Sequence, residues 1–162
     1  MRTGKILAVL ALGTIPALAL AAPAMTSATY VMKAGAGDLY EKQSSTLVMA
    51  STTNPALKTF AKEMITDHTN STAAVKAAAM KSGLHPAAPK LNPKQSSDLA
   101  ALRGATGTTR DTLYIQQQKA AHQEALALHQ DESSTGTAAP LKAAATKIVP
   151  VVQHHIDMLA SM

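Results

Sequence analysis

The 162-residue chain contains no cysteine and no tryptophan, and its aromatic side chains are Tyr30, Tyr40, Phe60 and Tyr114 alone. Without thiols it has neither a disulfide framework nor a thiolate ligand, so stability must come from burial, or from burial plus a bound ion. So few scattered rings supply no stacking platform for single-stranded nucleic acid. The formal charge is +5, and Arg2 and Lys5 of the N-terminal segment account for two of it, which leaves +3 elsewhere with lysines spread along the chain rather than gathered in a block. A nucleic-acid partner is therefore not expected. Beyond residue 24 no stretch approaches the roughly 18 apolar residues that span a bilayer. No transmembrane segment is expected in the rest of the chain.

What is present begins with an export signal. Arg2 and Lys5 precede an apolar run from Ile6 to Ala22 that Gly13 and Pro16 interrupt, and the small residues Ala19-Leu20-Ala21 or Ala22-Pro23-Ala24 suit a signal peptidase. Residues 1–24 read as a removable signal peptide and 25–162 as one domain. A periplasmic address follows, with association to the outer membrane and to an envelope partner as further expectations.

Alanine, leucine and methionine dominate the rest, while glycine and proline fall between segments, which is helical composition. A first helix is predicted from about Thr29 to Thr52. Asn54-Pro55 supplies an N-cap and a first-turn proline for a second helix ending near Ser82, where Gly83 provides a left-handed stop. Asn92-Pro93 opens a short helix that closes at Arg103 before Gly104. Thr108-x-x-Asp111 resembles a capping box for a third long helix running to about Glu132, and Ser133 to Ala139 is a turn. Pro140 starts the last helix, in which Pro150 is expected to kink the axis and free the carbonyl of Thr146. Hairpin, long crossover, hairpin is the connectivity of a ferritin-like four-helix bundle, all-α, with the short helix inside the crossover between the second and third long helices.

Each long helix places a metal-type ligand on or near its inner stripe. The stripes are Ala34, Asp38, Glu41, Ser45, Val48, then Leu57, Ala61, Met64, His68, Ser71, Val75, Ala78, and finally Leu141, Ala145, Ile148, Val152, His155, Leu159. On the third long helix two stripes compete. One holds Ile115, His122, Leu126 and His129, the other Tyr114, Gln118, Ala121, Ala125 and Leu128. At 1.5 Å per residue Glu41 and His68 lie level within roughly 3 Å, and His122 and His155 within roughly 8 Å, all near mid-bundle.

Imidazoles and a carboxylate are ligands for iron, zinc, copper or manganese, and a shared ion explains polar groups on an apolar seam. The candidate metal ligands are Glu41, His68, His122 and His155, with Asp67, Glu124 and His154 as supporting or substitute ligands. The competing reading is a purely structural or interaction bundle of the cell envelope, active in stress survival, whose buried histidines only hydrogen-bond one another and fix helix register. A di-iron ferroxidase needs a Glu-x-x-His pair on each of two helices, and the chain has none. Met64 and Met158 are expected to pack rather than bind copper. No nucleophile-base order or phosphate loop carries a local signature, so no catalytic residues are assigned and an enzymatic activity is not expected.

Ala34-Gly35-x-Gly37-Asp38-Leu39-Tyr40-Glu41, Phe60-Ala61-x-x-Met64-Ile65-x-Asp67-His68, Asp111-x-x-Tyr114 followed by His122, and Val149-Pro150 followed by His155 together resemble the exported bacterial domain of unknown function 4142. The resemblance covers nearly the whole chain after the signal and implies an exported, ferritin-like helical protein without an established activity. By position it carries over His68, His122, His155, Glu41 and Asp67. One place departs from the family pattern, where Thr109-Arg110 stands before Asp111 in place of the usual aromatic.

Overall fold

The computed structural model describes residues 25–162; the segment 1–24, expected from sequence to be a signal peptide, lies outside the described residues. Among these, five helices and no strand form: α1 (Ser27–Met49), α2 (Pro55–Lys81), α3 (Pro93–Gly104), α4 (Gly107–Thr135) and α5 (Ala139–Ala160). None is long and apolar enough to cross a membrane.

The punctuation follows local chemistry. The side chain of Asn54 accepts from the backbone of Ala56 and Leu57, and Asn92 forms a full capping box with Gln95. At the end of α2 the N–H of Leu84 reaches Ala79 O and that of Gly83 reaches Met80 O, closing a Schellman turn around Gly83 at φ +76°. The start of α4 differs from expectation. Gly107, at φ +53°, turns the chain into the helix two residues earlier, with Thr106 as N-cap and no side-chain cap. Asp111 is not a capping partner; its Oδ2 accepts from Thr52 Oγ1 at 2.8 Å and so ties the α1–α2 loop to the first turns of α4. At the other end α4 continues to Thr135, three residues past the predicted stop, shortening the turn before α5. The last helix is continuous through Pro150, which is exposed, as is Thr146, so solvent can hydrate the freed carbonyl at that position.

The four long helices enclose one interior: α1 packs on α2 and α4, and α5 packs on α2 and α4, while α3 covers α1 and α4. Hydrogen bonds Ser45 to Tyr114 and Tyr30 to His129 show α1 and α4 running in opposite directions. Two apolar clusters occupy the two ends. Tyr30, Ala34, Val75, Ala79, Leu141 and Ile148 belong to one, and Val48, Leu57, Phe60, Met64, Tyr114 and Leu159 to the other. Every residue of the predicted stripes on α1, α2 and α5 is buried. The buried seam of α4 is Tyr114, Gln118, His122, His129 and Glu132, which takes members from both competing stripes.

Candidate metal centre

Between the two apolar ends lies a polar layer to which each long helix contributes. Asp38 and Glu41 come from α1, Asp67 and His68 from α2, Gln118 and His122 from α4, and His155 from α5. Helical spacing puts them there: His68 follows Met64 and precedes Ser71 on one face, and His155 lies between Val152 and Leu159 in the same way. Phe60 forms an apolar wall against the layer, its ring centre 6.4 Å from that of His122 and 6.5 Å from that of His155.

His68, His122 and His155 each offer a ring nitrogen, and the three atoms lie within 4.8 Å of one another. The outer nitrogen of each ring is held by an acceptor. His68 Nδ1 meets Asp38 Oδ1 at 2.9 Å, His122 Nδ1 meets the carbonyl of Gln118 at 2.9 Å, and His155 Nε2 meets Asp67 Oδ2 at 3.1 Å. Since a carbonyl or carboxylate only accepts, each of these nitrogens must carry the hydrogen. In neutral rings the remaining nitrogens are then bare lone pairs. His122 Nε2 and His155 Nδ1 face each other at 3.3 Å, and His68 Nε2 is buried with no partner at all. Two lone pairs in opposition repel unless a cation stands between them. Nitrogens bound at about 2.0–2.1 Å to one tetrahedral ion sit about 3.3 Å apart, so the His122–His155 separation fits a shared ion. Anchoring the far ring nitrogen on a carboxylate or carbonyl is also how metal-bound histidines are oriented.

Electrostatics explain why protons do not fill this gap. Burial, and then the neighbouring His68 and His155, lower His122 to about 3; burial lowers His155 to about 4 against the pull of Asp67. Both are neutral near pH 7. His68 differs: burial disfavours its charge, but the hydrogen bond to Asp38 and the field of Glu41 more than offset this and raise it. The same carboxylates favour a metal cation on Nε2, where a proton has no acceptor. Glu41 is pushed up to about 7 by burial, with His68 and Gln118 opposing, and its Oε2 has no hydrogen-bond partner. Glu41, Asp38 and His68 line one wall of a groove of about 1690 Å³ beneath the crossover.

Of the predicted ligands, the three histidines converge, and Glu41 lies beside His68 without joining the group of atoms within 4.8 Å. Asp67 supports His155 from the outer side. His154 is exposed and pairs with Glu63 at 3.3 Å, and Glu124 is exposed on α4 and does not belong to the group of converging ligands. Two participants were not singled out from sequence. Asp38 orients His68, and it stands on the same stripe as Glu41, one turn earlier, which was the available signal. The carbonyl of Gln118 orients His122, and a backbone atom leaves no mark in a sequence.

No curated protein and no solved structure matches the chain. The family profile described as Domain of unknown function (DUF4142) matches residues 14–162. The protein belongs to the DUF4142 family.

Proposed function

We propose that this protein is an exported, periplasmic metal-binding member of the bacterial envelope, built as a ferritin-like four-helix bundle that holds one transition-metal ion at His68, His122 and His155. The connectivity supports the bundle: α1 and α2 form one hairpin, α4 and α5 the other, and residues 82–106 with α3 bridge them. The observation that carries the metal reading is the convergence of imidazole lone pairs that no protein donor satisfies.

Three imidazole nitrogens suit copper or zinc ahead of iron or manganese, by ligand type and by the ordinary order of divalent affinities. Glu41 supplies negative charge beside the open side of the ion. No reaction is assigned, because the groups present bind and orient a cation without a recognisable nucleophile or a paired acid and base.

A second reading has its own support. Ser45 with Tyr114, Ser44 with Gln118 and Tyr30 with His129 form buried hydrogen bonds that lock α1 against α4, which a register-fixing polar layer would require. Elemental analysis of the protein purified from the periplasm, with His68→Ala as control, separates the two. Near-stoichiometric metal in the parent and its loss in the variant upholds the metal site. Equal, sub-stoichiometric metal in both would leave only the structural layer.

A further inference from the structure

His155 has a second face. Its Nδ1 points to the inner histidines, while its Nε2 points outward to Asp67, and a second group of metal-type ligands, Glu63, Asp67 and His155, also has one atom each within 4.8 Å of one another. Glu63 and Asp67 stand one turn apart on α2, so both carboxylates project from the same strip of helix toward α5. Their side chains are about one-third exposed, 32 and 29 %, whereas that of His155 is 0 % exposed. The group therefore opens to solvent on its carboxylate side and is closed by a buried imidazole on the other. His154, next in the chain, brings its Nε2 to 3.3 Å from Glu63 Oε1. Among the described residues no lysine or arginine forms an ion pair with either carboxylate; their partners are the two histidines alone.

We propose that Glu63, Asp67 and His155 Nε2 form a second, outer site for a divalent transition-metal ion, with His154 as an additional ligand at the solvent edge. Two carboxylate oxygens and one imidazole nitrogen are a mixed set that a borderline ion such as zinc accepts. With the inner site empty, binding at Nε2 takes the tautomer whose hydrogen sits on Nδ1 facing His122 Nε2; with the inner site loaded, that hydrogen leaves to water and the ring is an imidazolate, and in both cases Asp67 turns from accepting a hydrogen to holding the ion. When the inner site is also loaded, His155 bridges two ions through its two ring nitrogens. The outer site is reached from solvent directly, and the buried inner site shares one ring with it. This places the outer group where an incoming ion is first held, next to the centre proposed above, although its own ligands assemble without that centre.

The test counts zinc ions bound per chain by native mass spectrometry, using the full-length protein stripped by a chelator and reloaded with zinc alone. Parent, Glu63→Gln and His122→Ala are compared, with circular dichroism to show that each is folded and His68→Gln in reserve should His122→Ala fail to fold. Two ions in the parent and one in each variant are expected, the outer ion lost with Glu63 and the inner with His122. A parent count of one that survives Glu63→Gln and vanishes in His122→Ala overturns the outer site and leaves the inner one standing. One ion that survives His122→Ala and vanishes in Glu63→Gln upholds the outer site and removes the inner. Two ions in Glu63→Gln, or none in the parent, overturns the outer site.

Discussion

His122 and His129 stand two turns apart on one face of α4, both buried, and they have opposite surroundings. At His129 the hydroxyl of Tyr30 lies 2.9 Å from Nδ1, the rings meet edge to face, and the hydroxyl can donate to that nitrogen. At His122 the inner nitrogen meets only another imidazole, and beyond it stands His68 Nε2 with no partner. At His129 Nδ1 the protein supplies the donor; the His122 layer closes only around something the protein does not supply. Burial of a histidine thus says little by itself. What marks a binding site is a hydrogen-bond inventory that is one cation short.

The strongest way to break this contrast is to add an ion. Zinc at about a thousand times its dissociation constant is expected to stabilise the fold by about 4 kcal/mol, which for a chain of this size raises the melting temperature by roughly 10 °C. Differential scanning fluorimetry with and without zinc reads this, and the rise is expected to persist in Tyr30→Phe and to shrink in His68→Ala to what the outer group of Glu63, Asp67 and His155 alone provides. A zinc response in His68→Ala equal to the parent's would erase the distinction between the layers.

Acid probes both layers in the metal-free protein. Burial sets His122 near 3 and His129 and His155 near 4, against 6.5 for the unfolded chain. The unfolded state therefore binds more protons below pH 6.5, so the stability these rings contribute is present above that value and is lost as pH falls toward 4. Glu41, raised to about 7 from 4.5, works in the other sense, its contribution present below 4.5 and lost as pH rises through 7. Three lowered rings outweigh the two groups that act in the other sense, Glu41 and the raised His68, so denaturant midpoints are expected to fall between pH 6.5 and 4.5. A flat or rising midpoint across that window contradicts the neutral state assigned to the rings.

Asp38→Asn sharpens the contrast by loosening one support. Removing the carboxylate behind His68 is expected to weaken zinc binding about 10- to 100-fold, read by competition with a chelating dye, while leaving the fold intact. Tyr30→Phe gives the smallest and complementary effect: it leaves His129 Nδ1 without its donor and is expected to cost about 1–3 kcal/mol in urea denaturation with zinc affinity unchanged. Reduced zinc affinity in Tyr30→Phe would mean that the two layers are one network.

How much of this could be read from the sequence follows the same divide. On α2 and α5 a largely apolar stripe at a steady alternation of three and four carries a single metal-type side chain, His68 (with the polar Ser71 one turn on) or His155, so the seam and the embedded ligand are both plain, and all the predicted positions are buried. On α4 the seam itself is polar at Gln118, His122, His129 and Glu132, and a pattern built on hydrophobicity has nothing to follow there. The asparagine-proline starts and the Gly83 stop were legible because they act within one turn of chain. Asp111 was misplaced for the converse reason, since its partner Thr52 lies in a distant loop. Glu41 and Asp38 share a stripe and a charge, and only packing decides that Asp38 takes the ring of His68.

The most direct measurement is a crystal structure of the zinc-soaked protein with anomalous data at the zinc edge. The account expects an anomalous peak enclosed by His68 Nε2, His122 Nε2 and His155 Nδ1, each about 2.0–2.1 Å away. Anomalous density confined to surface side chains, with the His122 and His155 rings still in contact and nothing between them, would contradict it.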